Sequence, residues 1–124
     1  MKEFMLRILN HESEWTPEIH QQFLKSCEKY IGELKKNGKL ISAQPLERGG
    51  RIVSQTAGNW SEVPLAEAGE TQVGYYHIIA KDMDEAVEMA KQNPEFEFGS
   101  TARIEVRPIK TKEKTTGFVY PKAK

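Results

Sequence analysis

The chain has 124 residues, 38% hydrophobic and 29% charged, with 18 Lys and Arg balancing 18 Asp and Glu. That length makes about one domain, and the charge balance excludes both a globally basic nucleic-acid binder and an acidic disordered chain. A mean hydropathy of -0.63, the lack of a membrane-length apolar run and an opening MKEFMLRIL that breaks into charge too early for a signal peptide predict a soluble, cytoplasmic protein.

In chain order, Glu3 to Leu9 alternates with the period of a strand, Phe4, Leu6 and Ile8 on one side and Met5, Arg7 and Leu9 on the other. Asn10 to Trp15 reads as a polar loop. Thr16-Pro17 is a helix start, because the Thr hydroxyl can accept from a free amide and Pro at the first helical position loses no hydrogen bond. Ile19, Phe23, Cys27, Tyr30, Ile31 and Leu34 then form one apolar stripe, and Asn37-Gly38 ends the helix.

Lys39 to Gln44 reads as a second strand closed by Pro45. Arg51 to Thr56 and Trp60 to Val63 read as a hairpin about Ala57-Gly58-Asn59, and residues 64–73 as a loop. Gly74 to Ala80 is a strand rich in aromatic and β-branched residues. Asp82 to Glu85 has the capping-box spacing of a second helix that ends near Asn93-Pro94, and Ala102 to Ile109 is the last strand. Residues 110–124 form a tail with five Lys and one Glu, leaving the body of residues 1–109 at a net charge of -4.

Strand, helix, strand, hairpin, strand, helix, strand predicts an α+β fold, a ferredoxin-like split βαβ sandwich with a hairpin insertion. Two helices cover one face of such a sheet. The apolar alternation assigns Phe4, Leu6, Ile8, Tyr76, Ile78, Ile104 and Val106 to that covered face. The other face receives Met5, Arg7, Leu9, Ser42, Gln44, Tyr75, His77, Ile79, Arg103, Glu105 and Arg107. That mixture is too polar for a core and too aromatic for a plain solvated surface, so the face must be wet, hold a ligand or pack against a second copy, and a homodimer stacking two such faces would enclose a cavity lined by Arg7, His77, Glu105 and Arg107.

Two readings of the polar set stand side by side. In one, Glu105 orients His77 as a general base or acid, and Arg7 or Arg107 holds an anionic substrate. In the other, Glu105 bridges the arginines and His77 is an interface residue.

The chain also resembles the YCII-related, DGPF-domain family. The resemblance is carried by Pro64-Leu65-Ala66-Glu67, Glu70, Gly74-Tyr75-Tyr76, Asp82 to Ala86, Asn93-Pro94, Gly99-Ser100 and Ile104 to Pro108, in that order. It implies a dimeric α+β barrel, two subunits packed sheet to sheet, in a largely uncharacterised family. Wider relatives include isomerases and lyases, and a link to transcription is implied by association with sigma factors. The match has departures. Glu62-Val63-Pro64-Leu65 stands where the namesake Asp-Gly-Pro-Phe is expected, and Phe98 where a His is expected.

Glu67, Glu70, Gln44 and Tyr75 complete the candidate binding residues, the two glutamates reading equally as a solvated loop. Trp15 and Trp60 read as core or interface anchors. His11, His20 and His77 have no ligand spacing, and Cys27 on the apolar stripe reads as an inert buried thiol, so neither metal nor cofactor is expected. The acidic body opposes nucleic-acid binding. The functional expectation is a homodimer that binds a small polar or anionic metabolite, as a cofactor-free isomerase or lyase or as a noncatalytic regulatory module.

Overall fold

A computed structural model of the chain describes residues 1–10, 16–47, 49–65, 71–99 and 101–121. Strand β1 (Lys2–Asn10) is followed by helix α1 (Pro17–Lys36) and strand β2 (Leu40–Pro45). A hairpin of β3 (Arg51–Thr56) and β4 (Asn59–Pro64) comes next, and then β5 (Thr71–Ala80), α2 (Met83–Lys91), the single turn α3 (Glu95–Phe98) and β6 (Arg103–Pro108). The main sheet runs β2-β5-β1-β6 with every neighbouring pair antiparallel. The fold is thus α+β, and β1 and β5 are central, the strand order expected of a ferredoxin-like arrangement.

The alternation read from the sequence sorts the two faces correctly. Phe4, Leu6 and Ile8 of β1 are buried with Tyr76, Ile78 and Ala80 of β5 beneath Tyr30 and Leu34 of α1 and Ala86 and Ala90 of α2. Ile104 and Val106 pack against this cluster. Two aromatic contacts hold the helices on it. The rings of Tyr30 and Tyr76 meet edge to face at 5.3 Å, and the Tyr30 hydroxyl donates to the carbonyl of Met89 at 2.7 Å, tying α1 to α2.

The helix ends follow their caps. Thr16 Oγ1 accepts from the Ile19 amide at 3.2 Å, Pro17 is the first helical residue, and Gly38 beyond the end adopts φ 68°. At α2, Asp82 Oδ1 accepts from the Glu85 amide and Glu85 Oε1 from the Lys81 amide, both at 2.9 Å. That amide, followed by the Lys39 ammonium at 3.3 Å, holds the Glu85 carboxyl below its ordinary range.

Several element ends differ from the sequence reading, and three of the differences have a visible cause. β5 begins at Thr71 rather than Gly74, since it continues pairing with the end of β1 past a register shift at Ile8/Leu9. β2 extends through Pro45, which costs the sheet little because β2 lies at its edge. Pro94 ends α2 as expected, yet with φ -59° and ψ -18° it opens the further turn α3.

The β3–β4 hairpin turns through Ala57 and Gly58, both at positive φ, as a two-residue turn that matches strand twist requires. Every residue of its strands is exposed, Trp60 at 73%, so Trp60 is no core anchor. Trp15 lies outside the described residues. The basic tail folds back on itself, with Lys112 paired to Val119, the Tyr120 amide donating to Thr111 O at 3.0 Å, and the rings of Phe118 and Tyr120 edge to face.

Leu6, fully buried at the centre of β1, has no room to be replaced by collapse. Leu6→Ala is expected to cost about 2–5 kcal/mol in urea unfolding of the purified protein. Trp60→Ala, on the exposed hairpin, is expected to stay within about 0.5 kcal/mol of the parent; a reversed order would refute this assignment of the core.

Candidate functional site

The uncovered face of the sheet brings six of the eight candidate residues into two adjacent rows. Ser42, His77, Met5 and Arg107 are partners across one row, and Gln44, Tyr75, Arg7 and Glu105 across the next. Glu67 and Glu70 lie outside the described residues.

Within these rows the charges are already paired. Arg7 donates to Glu105 Oε1 at 2.8 Å and to Gln72 Oε1 at 3.0 Å, while Arg107 stands 3.7 Å from the same Glu105 oxygen. The Arg7 hydrogen bond holds the Glu105 carboxyl below its ordinary range, although the group is well solvated. Glu105 therefore bridges the two arginines, as one of the two sequence readings has it.

The carboxylate against His77 is a different one. His77 Nε2 lies 2.7 Å from Glu3 Oε1, and the two side chains are only 12% and 13% exposed. The His77–Glu105 pairing expected from sequence is not the one formed, because Glu105 sits two strands away and two residues along the register, roughly 12 Å between Cα atoms. With Nε2–H donating to Glu3, Nδ1 of a neutral His77 is left as the acceptor.

A larger feature lies on the other side of the sheet, and its origin is the uneven seating of α1. Tyr30 and Leu34 in the second half of the helix are buried, whereas Ile19 and Leu24 in the first half are 40% and 44% exposed. Beneath that first half the floor is made of small residues, Ala43 of β2 and Gly74 of β5. The result is a cleft of about 640 Å³ between α1 and the β2–β5 edge. A Cβ on Gly74 would come within 3.0 Å of Gln44 O and 3.3 Å of Pro45 Cα, so the missing side chain is also what lets β2 approach.

The walls of the cleft are apolar for most of their length, with Phe23, Leu24, Ile31, Val73 and Leu46. The inner end is polar. Asn10, 3% exposed, accepts from the Thr101 hydroxyl at 2.6 Å through Oδ1 and points Nδ2 at Glu95 Oε2, 3.4 Å away. Asn93, 2% exposed, accepts from the Glu95 amide at 2.9 Å, and its buried side-chain amide faces the Tyr30 and Tyr76 phenols. Cys27 and Tyr76 border the same end. Burial, with the Glu95 carboxylate adding to it, pushes the Cys27 thiol up to about 11. Burial likewise pushes the phenols of Tyr30, to about 12, and of Tyr76 upward.

Of the sequence candidates, Gln44 and Tyr75 border the cleft, where β2 meets β5; Arg7, His77, Glu105 and Arg107 do not. Asn10, Asn93 and Glu95 were not singled out from sequence. Asn10 reads as the start of a loop and Asn93-Pro94 as a helix stop, and nothing in their local pattern tells that the two ends meet 83 residues apart in the chain.

A four-stranded antiparallel sheet under helices, with a hairpin inserted between its second and third strands in chain order, defines an α+β domain. The particular family is the YCII-related domain, whose family model matches residues 3–110, and the chain belongs to it. No curated protein is matched. No helix among the described residues is long and apolar enough to cross a membrane.

The raised thiol gives a direct check on the cleft's inner wall. Alkylation of Cys27 by iodoacetamide is expected to accelerate with pH along a curve centred near 11, against about 8.5 for an ordinary thiol in urea-unfolded protein. Because the native thiol holds its proton more tightly, its contribution to stability is complete at neutral pH and is lost as pH rises through that native value. A native curve centred near the ordinary value would contradict the described environment.

Proposed function

We propose that this YCII-related protein is a homodimeric small-molecule binder, with the ligand in the cleft between α1 and the β2–β5 edge and the open sheet face as the contact between subunits. The observation that carries the reading is the cleft itself. Its volume falls within the range of small-molecule sites, and its inner end is lined by the polar side chains of Asn10, Asn93 and Glu95.

The open face supports the dimer part of the reading. Its two central rows hold charges that are largely neutralised within the subunit, between apolar positions at Met5, Leu9 and Ile79. A second copy can cover the Arg7–Glu105 pair without stranding either of its charges, while Arg107 stays 65% exposed.

The His77–Glu3 pair favours a second reading, in which the dimer interface is itself a reaction site. A shielded imidazole oriented by a carboxylate is able to take a proton from a carbon acid, the step that cofactor-free isomerases and lyases need. Arg107, 65% exposed, is the cation of the face best placed to meet a substrate carboxylate.

Two variants separate these parts. Ala43→Leu places a branched side chain on the cleft floor and is expected to abolish ligand-observed NMR binding of a neutral aromatic fragment set while leaving the circular dichroism spectrum unchanged; undiminished binding would remove the cleft from the proposal. Light scattering is expected to give twice the 14.2 kDa chain mass for the parent and the single chain mass for Ile79→Asp. A monomeric parent would remove the dimer.

A further inference from the structure

Resting on the dimer of the proposed function, we propose that the basic tail is an arm, its hairpin over residues 111–120 docking on the body of a second copy of the chain with Phe118 and Tyr120 as anchors. This hairpin lies beyond residues 3–110 of the family match, yet it has a definite shape. The Glu113 amide donates to Phe118 O at 2.8 Å, the Gly117 amide to Glu113 O at 2.9 Å and the Tyr120 amide to Thr111 O at 3.0 Å. Gly117 makes the turn at φ 75°, a backbone conformation suited to glycine. A single short hairpin with no core of its own is marginal in water, so the shape calls for a surface to rest on.

Its own subunit does not cover it. Phe118, Val119 and Tyr120 are 56%, 63% and 39% exposed. Phe118 and Tyr120, two residues apart on one arm of the hairpin, point to the same side and hold each other edge to face at 5.2 Å. A preformed, exposed aromatic pair is the kind of group that dominates the energetics of protein interfaces.

Charge selects a second copy as the occupant. Residues 110–124 hold five Lys against one Glu, and residues 1–109 have a net charge of -4. Glu113 is paired with Lys110 at 2.9 Å, which leaves the exposed Lys112 and Lys114 as the cations that the hairpin presents. The strand leading into the tail carries Arg107, 65% exposed, so the adjoining surface of the same subunit has the same sign. The acidic surplus is in the rest of the body, as at the exposed Asp84 of α2 and Glu97 of α3. Two copies exchanging tails about a two-fold axis make this complementary contact twice. The tail also starts at the right place, since Ile109 N still donates to Glu3 O at 2.9 Å where the β1–β6 pairing ends, at one end of the open face. The chain exposes 9070 Å², about 2,300 Å² more than a compact chain of its mass, an excess comparable to what each subunit of an obligate dimer hides.

The test uses the full chain and two readings. In the first, equal amounts of ¹⁴N- and ¹⁵N-labelled parent, exchanged by passage through urea, are treated with a zero-length carbodiimide, which joins an ammonium to a carboxylate only where the two are in contact. Mass spectrometry is expected to find Lys112 or Lys114 joined to a carboxylate of residues 1–109 in peptide pairs of mixed label. Same-label pairs alone, or no cross-link from either lysine, overturn the arm. In the second, sedimentation velocity gives the dimer dissociation constant. Phe118→Ala combined with Tyr120→Ala is expected to raise it at least about tenfold, with an unchanged circular dichroism spectrum because neither ring belongs to the core. An unchanged constant overturns the arm and leaves the sheet-to-sheet dimer standing. A monomeric parent overturns both, and binding of a single-stranded oligonucleotide or an anionic vesicle by that monomer assigns the tail to such a partner instead.

Discussion

The strict alternation of β1 is the constraint on which the rest of the molecule depends. Paired on both edges, the strand sends Phe4, Leu6 and Ile8 under the helices and Met5, Arg7 and Leu9 to the open face. A slip of one residue would exchange the two sets and put Arg7 into the core. Because β5 and β6 are registered on β1, the same alternation gathers His77, Tyr75, Glu105 and Arg107 on one surface and leaves the other free to be roofed by helices.

The roof is uneven, and that unevenness makes the cleft. α1 is anchored at its second half by Tyr30, which meets Tyr76 edge to face and bonds to the last turn of α2. Towards its start the described floor beneath it is Ala43 and Gly74. Ile19 and Leu24 in that half are 40% and 44% exposed. At the closed end, Asn10 links the end of β1 to Glu95 of α3 and to Thr101 ahead of β6. The polar end of the cleft is thus also a joint that holds three segments of chain together.

Much of this was legible in the sequence because it is local. Alternation at Glu3–Leu9 and Gly74–Ala80 sorted the faces, and Thr16-Pro17, Asn37-Gly38 and the Asp82–Glu85 box placed the helix ends, each through contacts spanning four residues or fewer. What was illegible depends on distance. That Glu3 rather than Glu105 meets His77 follows from the diagonal between two strands, which alternation alone does not give. Asn10, Asn93 and Glu95 are ordinary polar residues at segment ends until the fold brings them together, and α3 hides behind a Pro94 that signals only a stop. The apolar stripe of α1 reports which face turns inward and not how closely it is met.

The central claim is that the helix-covered cleft, and not the charged open face, takes the ligand. Its most direct test is chemical-shift mapping of the ¹⁵N-labelled protein during titration with a bound aromatic fragment. The account predicts that the perturbed amides fall on the first half of α1 around Phe23 and Cys27, on Ala43 to Leu46, and on Val73 to Tyr76. Perturbations gathered instead on Met5, Arg7, Glu105 and Arg107, with the α1 amides unmoved, would contradict it.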